Sequence, residues 1–215
     1  MSWILIDTAK EGDAELELYA KDAVYMIRAN GFELMNGFCH DSESALGRRA
    51  AELAPKDPRI LLGGLGLGYT AAALAEALGP AGTITVAEFS GAVIGWFHRH
   101  VRASVLPDMP GNLTILHADV GGLLTASSQY DLIVLDVDNG PVALVTGRNA
   151  DLYSAEGLQS LHRALTPGGK ALLWSGFESA DFARRARLAG FQLSCEPFGR
   201  GRPELSHYIY VLGKA

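Results

Sequence analysis

The positions of this sequence best suited to chemistry are a glycine loop and a set of acids, each placed directly after an apolar run. The loop, Gly63-Gly64-Leu65-Gly66-Leu67-Gly68, follows Arg59-Ile60-Leu61-Leu62 and leads into the Ala-rich segment Tyr69 to Leu78. Gly64, Gly66 and Gly68 allow a tight turn and close backbone approach to a ligand, and the helix that follows offers unpaired N–H groups. A simple tight turn would use the same residues. Counted from Gly64 and Gly66, the dinucleotide pattern G-x-G-x-x-G needs glycine where Tyr69 stands, which argues against NAD or FAD. Glu88 ends the run Thr83 to Glu88, twenty residues beyond Gly68. A carboxylate there accepts hydrogen bonds from both ribose hydroxyls, so an intact 2′,3′-diol is implied. Asp119, in His117-Ala118-Asp119-Val120, could accept from an adenine amino group. Asp136-Val137-Asp138-Asn139-Gly140-Pro141 follows the apolar run Asp131-Leu132-Ile133-Val134-Leu135. Its two carboxylates and amide lie where the reacting end of a bound nucleoside would point. Asp136 could hold an attacking amine or take its proton, and the acids favour a cationic substrate.

These residues need a scaffold that brings strand ends together. Strand, glycine loop and helix occur in that order, and the pattern repeats: strand 83–88 with a helix over 91–103, strand 113–117 with a short helix, strand 131–136 with a helix over 155–165. After Thr166-Pro167-Gly168-Gly169 come strand 170–174 and a helix over 179–189, ended by Gly190. Such alternation predicts an α/β protein with a parallel sheet wound on both faces, whose ligand lies beyond the carboxyl ends of the strands. The flanks differ. Residues 13–35 alternate polar and apolar around the turn signal Asn30-Gly31 and predict an antiparallel meander. A helix capped by Asp41 or Ser42 then runs to Pro55. Residues 191–196 and 207–212 predict a hairpin at the sheet edge. The expected division is 1–55, meander plus helix, and 56–215, the nucleoside-binding domain.

Composition narrows the class of ligand. The 215 residues are 48% hydrophobic and 20% charged, enough to bury a core and too apolar for disorder. No apolar run approaches the roughly 20 residues that span a bilayer, and the first residues lack the basic flank of a signal peptide, so a cytoplasmic protein is expected. A formal net charge of −6 offers no field for a nucleic-acid backbone and favours a small-molecule substrate. Cys39 and Cys195 are too few for a disulfide framework or a zinc site, and no metal is expected.

In their order, Leu61 to Gly68, Val86-Ala87-Glu88, His117-Ala118-Asp119 and Asp131 to Pro141 resemble the class I S-adenosylmethionine-dependent methyltransferase fold. The set is most similar to its spermidine synthase (polyamine aminopropyltransferase) branch. The meander, Leu34-Met35-Asn36, Asp41-Ser42-Glu43 and Leu152-Tyr153-Ser154 extend the likeness over most of the chain. The resemblance implies a Rossmann-like, mostly parallel seven-stranded sheet, S-adenosylmethionine or its decarboxylated form as cofactor, and often a homodimer. It implies Gly64, Gly66, Gly68, Glu88 and Asp119 around the cofactor. It further implies Asp136 and Asp138 as catalytic acids and Glu43, Asn139 and Tyr153 at the substrate. The departures lie among the acids. Spermidine synthases carry G-G-G-D-G-G, and the place of that Asp is Gly66. Their D-S-S-D-P becomes Asp136-Val137-Asp138-Asn139-Gly140, and their Tyr-His-Glu becomes Asp41-Ser42-Glu43. Fewer acids around the amines make the ordinary cofactor, with its carboxylate, more acceptable. The expectation is therefore transfer to a small, amine-bearing molecule, methyl transfer first, with aminopropyl or aminocarboxypropyl transfer as the alternative. A non-catalytic nucleoside-binding protein is the rival from another class.

Other residues are set aside. His98, Arg99, His100 and Arg102 read as a solvated helix face, and Arg184, Arg185 and Arg187 as surface charge. Trp174 ends its strand and could edge the pocket or fill the core.

Overall fold

The computed structural model describes residues 2–137, 151–199 and 207–214. The chain opens with four antiparallel strands in sequential order, β1 (Ile4–Glu11), β2 (Ala14–Lys21), β3 (Val24–Ala29) and β4 (Phe32–Asn36). β3 and β4 are joined by Asn30 and Gly31, both at positive φ (50° and 80°). This is the backbone that a two-residue turn needs to match the twist of its strands. β1 lies before the expected meander. Its pairing with β2 shifts register between Leu5 and Asp7, and such a bulge breaks the alternation by which a strand is recognised. α1 (Asp41–Leu53) follows; His40 takes the N-cap position without a side-chain cap bond, so Asp41 and Ser42 lie inside the helix rather than capping it.

Seven strands then form one sheet in the order β10-β11-β9-β8-β5-β6-β7. Five of them, β5 (Arg59–Gly63), β6 (Thr83–Glu88), β7 (Leu113–His117), β8 (Tyr130–Leu135) and β9 (Leu165–Ser175), run parallel. The closing hairpin of β10 (Phe191–Phe198) and β11 (His207–Lys214) puts β11 antiparallel between β9 and β10, so β10 and β7 are the two edge strands. Because side chains alternate along each strand, the sheet has two apolar faces. Ile60, Leu62, Val86, Leu132 and Val134 pack under α1, α2 (Tyr69–Leu78) and α3 (Gly91–Trp96). The helix of α3 continues through a π-helical turn, Phe97–Val101, into α4 (Arg102–Val105). Leu61, Ile133, Leu135 and Leu173 pack against the other layer, α5 (Val120–Leu123), α6 (Ala155–Ala164) and α7 (Ala180–Leu188). Among the described residues no helix is long and apolar enough to cross a membrane.

α1 lies directly on α2 because Gly47 has no side chain. A Cβ there would come within 2.5 Å of the Thr70 carbonyl oxygen and 2.8 Å of the Leu74 nitrogen. Ala in place of Gly gains about 1 kcal/mol of helix propensity, while overpacking a backbone contact costs roughly 1–3 kcal/mol. The second term wins. Gly47→Ala is expected to lower the melting temperature by about 4 °C, measured by thermal denaturation; an unchanged or raised midpoint would show that the two helices can separate without cost.

Candidate active site

β5 is hydrogen-bonded to β6 on one side and β8 on the other, so the chain leaves the sheet in opposite directions from adjacent strands. A crevice opens at such a switch point, beyond the carboxyl ends of the strands. The glycine loop emerges there pinned on both sides: the Gly64 N–H donates to the Ala87 carbonyl at 2.9 Å and the Asp136 N–H to the Gly63 carbonyl at 2.9 Å. Gly64 has φ +92° and a Cβ on it would strike the Asp136 carbonyl oxygen, so no other residue fits. Gly68, at φ +86°, is the N-cap of α2 and lies under the Phe97 ring.

Three backbone groups converge on Glu88. Its Oε2 accepts from the Leu65 N–H (2.9 Å) and, at longer range, the Gly66 N–H (3.5 Å), and its Oε1 accepts from the Ser90 N–H (2.8 Å). Glu88 thus sets the shape of the glycine loop, and with about four lone-pair positions on a carboxylate it retains room for a further donor. Asp119 is exposed after β7, and its Oδ1 caps α5 by accepting from the Gly121 N–H at 2.9 Å.

Asp136 stands one residue beyond β8 and turns to the α1–α2 side. The Thr70 hydroxyl lies 2.5 Å from its Oδ2, and the same hydroxyl is 3.2 Å from the Glu43 carbonyl oxygen. Asp136 keeps part of its surface accessible, yet protein surrounds it closely enough that burial raises its pKa to about 7. The Thr70 bond opposes that rise, and the nearby Glu43 adds to it. The Glu43 carboxylate is itself held by the Ser42 hydroxyl at 2.5 Å. Beside them, the Tyr69 ring stacks on His40 with centroids 3.9 Å apart and planes within 3°. Burial, followed by the Glu43 charge, raises the Tyr69 phenol above its ordinary value.

The structure therefore gathers Gly64, Gly66, Gly68, Glu88 and Asp136 at the carboxyl ends of β5, β6 and β8, with Glu43 close to Asp136 from α1. Asp138 and Asn139 lie outside the described residues. Tyr153, expected at the substrate, lies apart from this group. It ends the short 3-10 turn Asp151–Tyr153 ahead of α6, on the opposite face of the sheet from Asp136. Its ring is 1% exposed and packs against Phe182 at 6.0 Å, so it serves the core. Thr70 and His40 were not anticipated. The signal for Thr70 was present, since it is a polar side chain among buried residues of α2 that are otherwise Ala and Leu. Trp174 stands one residue beyond Leu173, the partner of Leu135, and packs against the core on the α1–α2 side. Its ring tilts against His207 at 4.9 Å.

No protein-family model and no curated protein matches this sequence. Solved structures do share its fold. A spermidine synthase in complex with the transition state analogue AdoDATO superposes with a TM-score of 0.79 at 16% identity, over 98% of this chain and 74% of that one. Spermidine synthase from Thermotoga maritima gives 0.76 at 16% identity, over 98% and 73%. TrmN from Thermus thermophilus gives 0.59 at 23% identity, over 80% and 48%. The chain thus has the Rossmann-like fold of spermidine synthases and class I methyltransferases, with the N-terminal sheet included in the match to the former.

Proposed function

We propose that the chain is a transferase that moves a carbon group from S-adenosylmethionine, or its decarboxylated form, to the nitrogen of a small amine. One observation carries this reading: Asp136 lies at the switch point beside Glu43, bonded to Thr70, with its pKa raised to about 7. A carboxyl group poised near neutrality is matched to take a proton from an amine at physiological pH. Glu43 next to it favours a substrate that arrives as a cation.

The residues present suit such a nucleoside. A side chain at Gly64 or Gly68 would strike protein, so the loop backbone stays bare and close to any ligand above it. Glu88 would take the ribose and Asp119 the adenine amino group. When bound, the cofactor supplies a carbon made electrophilic by the adjacent sulfonium. The chain's own share is alignment and proton acceptance: Asp136 orients the amine lone pair and receives the N–H proton, and Glu43 compensates the positive charge near it. Asp138 and Asn139 would complete the acceptor side.

Two groups could be transferred, and each has one observation in its favour. Gly66, in the place of the acid of spermidine synthases, favours the carboxylate-bearing cofactor and methyl transfer. The match of spermidine synthase structures over 98% of the chain, against 80% for TrmN, favours the longer aminopropyl arm. Incubating the protein with each cofactor and a panel of amines separates them. S-adenosylhomocysteine reports methyl transfer and methylthioadenosine the longer arm. Cofactor binding without either product, across the panel, would overturn the proposal and leave a nucleoside-binding protein.

A further inference from the structure

We infer that Thr70 is a positioning residue for Asp136: its hydroxyl turns between the Asp136 carboxylate and the Glu43 main-chain carbonyl as Asp136 loses and gains its proton. The inference rests on the proposed role of Asp136 as proton acceptor and deepens it. The geometry is that of a switch with two seats. Thr70 Oγ1 lies 2.5 Å from Asp136 Oδ2 and 3.2 Å from the Glu43 carbonyl oxygen, and Thr70 is 2% exposed, so water does not compete. A hydroxyl has one hydrogen to donate and two lone pairs to accept with. When Asp136 is ionised, the hydrogen points at Oδ2. When the amine proton has moved onto Oδ2, Asp136 becomes the donor, Thr70 Oγ1 the acceptor, and the hydroxyl hydrogen turns to the Glu43 carbonyl. Every donor keeps an acceptor in both states. Without the second seat, a proton on Oδ2 would set two hydrogens against each other in a buried place, where an unsatisfied group is costly.

The surroundings leave this task to Thr70. Among the described residues the groups that face Asp136 are Glu43 from α1, whose charge opposes its ionisation, and Thr70 from α2; Tyr69 and His40 stack on each other beside them. Its main-chain N–H is already bonded to Gly63. Among the described residues no Lys, Arg or His forms an ion pair with Asp136. Among the described residues it is the Thr70 hydroxyl that favours its ionised form.

The test is the titration of Asp136, followed by carbon NMR of the carboxyl in wild type, Thr70→Val and Thr70→Ser, with neither cofactor nor amine present. Thr70→Val should raise the titration midpoint by about one pH unit, and Thr70→Ser should restore it. Thr70→Ala replaces the Val variant if that one fails to fold. In kcat/KM the acid limb should move up by the same amount in the Val variant and return in the Ser variant. A midpoint unmoved by Val or Ala overturns the inference, as does an equal rise in Ser, which would make the effect one of packing. A wild type inactive with every amine would sink the transferase reading, while the NMR titration would still report on Thr70.

Discussion

Asp136→Asn is expected to lose about 10²–10⁴ of kcat while making the folded protein more stable at alkaline pH. The two effects come from the same environment. The carboxyl has its proton in the folded state up to about pH 7, against 3.8 for the ordinary group, because burial and Glu43 disfavour the charge. The folded state therefore holds a proton between those pH values that the unfolded state has released, and stability falls as pH rises through that window. Below pH 3.8 the contribution is fully present, and above about pH 7 it is gone. A rise of this size corresponds to roughly 4 kcal/mol at most, and the partial exposure of Asp136 reduces it to about 2 kcal/mol. Asn accepts from Thr70 as the carboxylate does but carries no charge to bury. At pH 8 the variant should melt about 5 °C higher than the wild type, and near pH 4 the two should coincide. Thermal melts at both pH values, with turnover at pH 8, check this. Turnover within tenfold of wild type would remove Asp136 from the reaction. Melting curves that differ equally at pH 4 and pH 8 would show that the carboxylate is not strained in its site.

The surroundings that disfavour the Asp136 charge show which parts of this protein can be read from sequence. The glycine loop, Glu88, Asp119 and Asp136 each follow an apolar strand, and a parallel sheet places every such position on one edge, so order along the chain suffices to group them. The partners of Asp136 are a different matter. Glu43 was named by resemblance and Thr70 left a trace as a buried polar residue, but their meeting with Asp136 comes from the packing of α1 on α2 across Gly47, a tertiary fact with no local signature. The His40–Tyr69 stack joins two residues that are remote in sequence and lie on either side of β5. Tyr153 shows the converse: its local segment resembles a substrate-binding stretch, while α6 and α7 draw the ring into the opposite face. β1 was hidden by its bulge, where the polar–apolar alternation slips by one residue.

Gly66→Asp is expected to move the cofactor preference toward the decarboxylated form by about tenfold or more, as a new carboxylate close to the ligand attracts an ammonium and repels a carboxylate. The backbone tolerates the change better here than elsewhere in the loop. Gly66 has φ +52°, within the left-handed region that Asp and Asn enter most readily among residues with a side chain. Among the described residues its Cβ would meet only Met35, with the sulfur at 2.7 Å, and a methionine end can swing aside where the Asp136 carbonyl over Gly64 cannot. The contrast with Gly64→Ala is therefore informative. That variant combines strain at φ +92° with a clash against main chain at the site itself, and it should lose cofactor of either kind. Calorimetric titration of wild type and both variants with each cofactor distinguishes an electrostatic effect from simple damage to the loop. If Gly66→Asp weakens both cofactors equally, Met35 does not yield and the loop is closed to an acid on steric grounds. If it reverses the preference, the missing carboxylate at position 66 is the determinant of which sulfonium nucleoside this fold accepts.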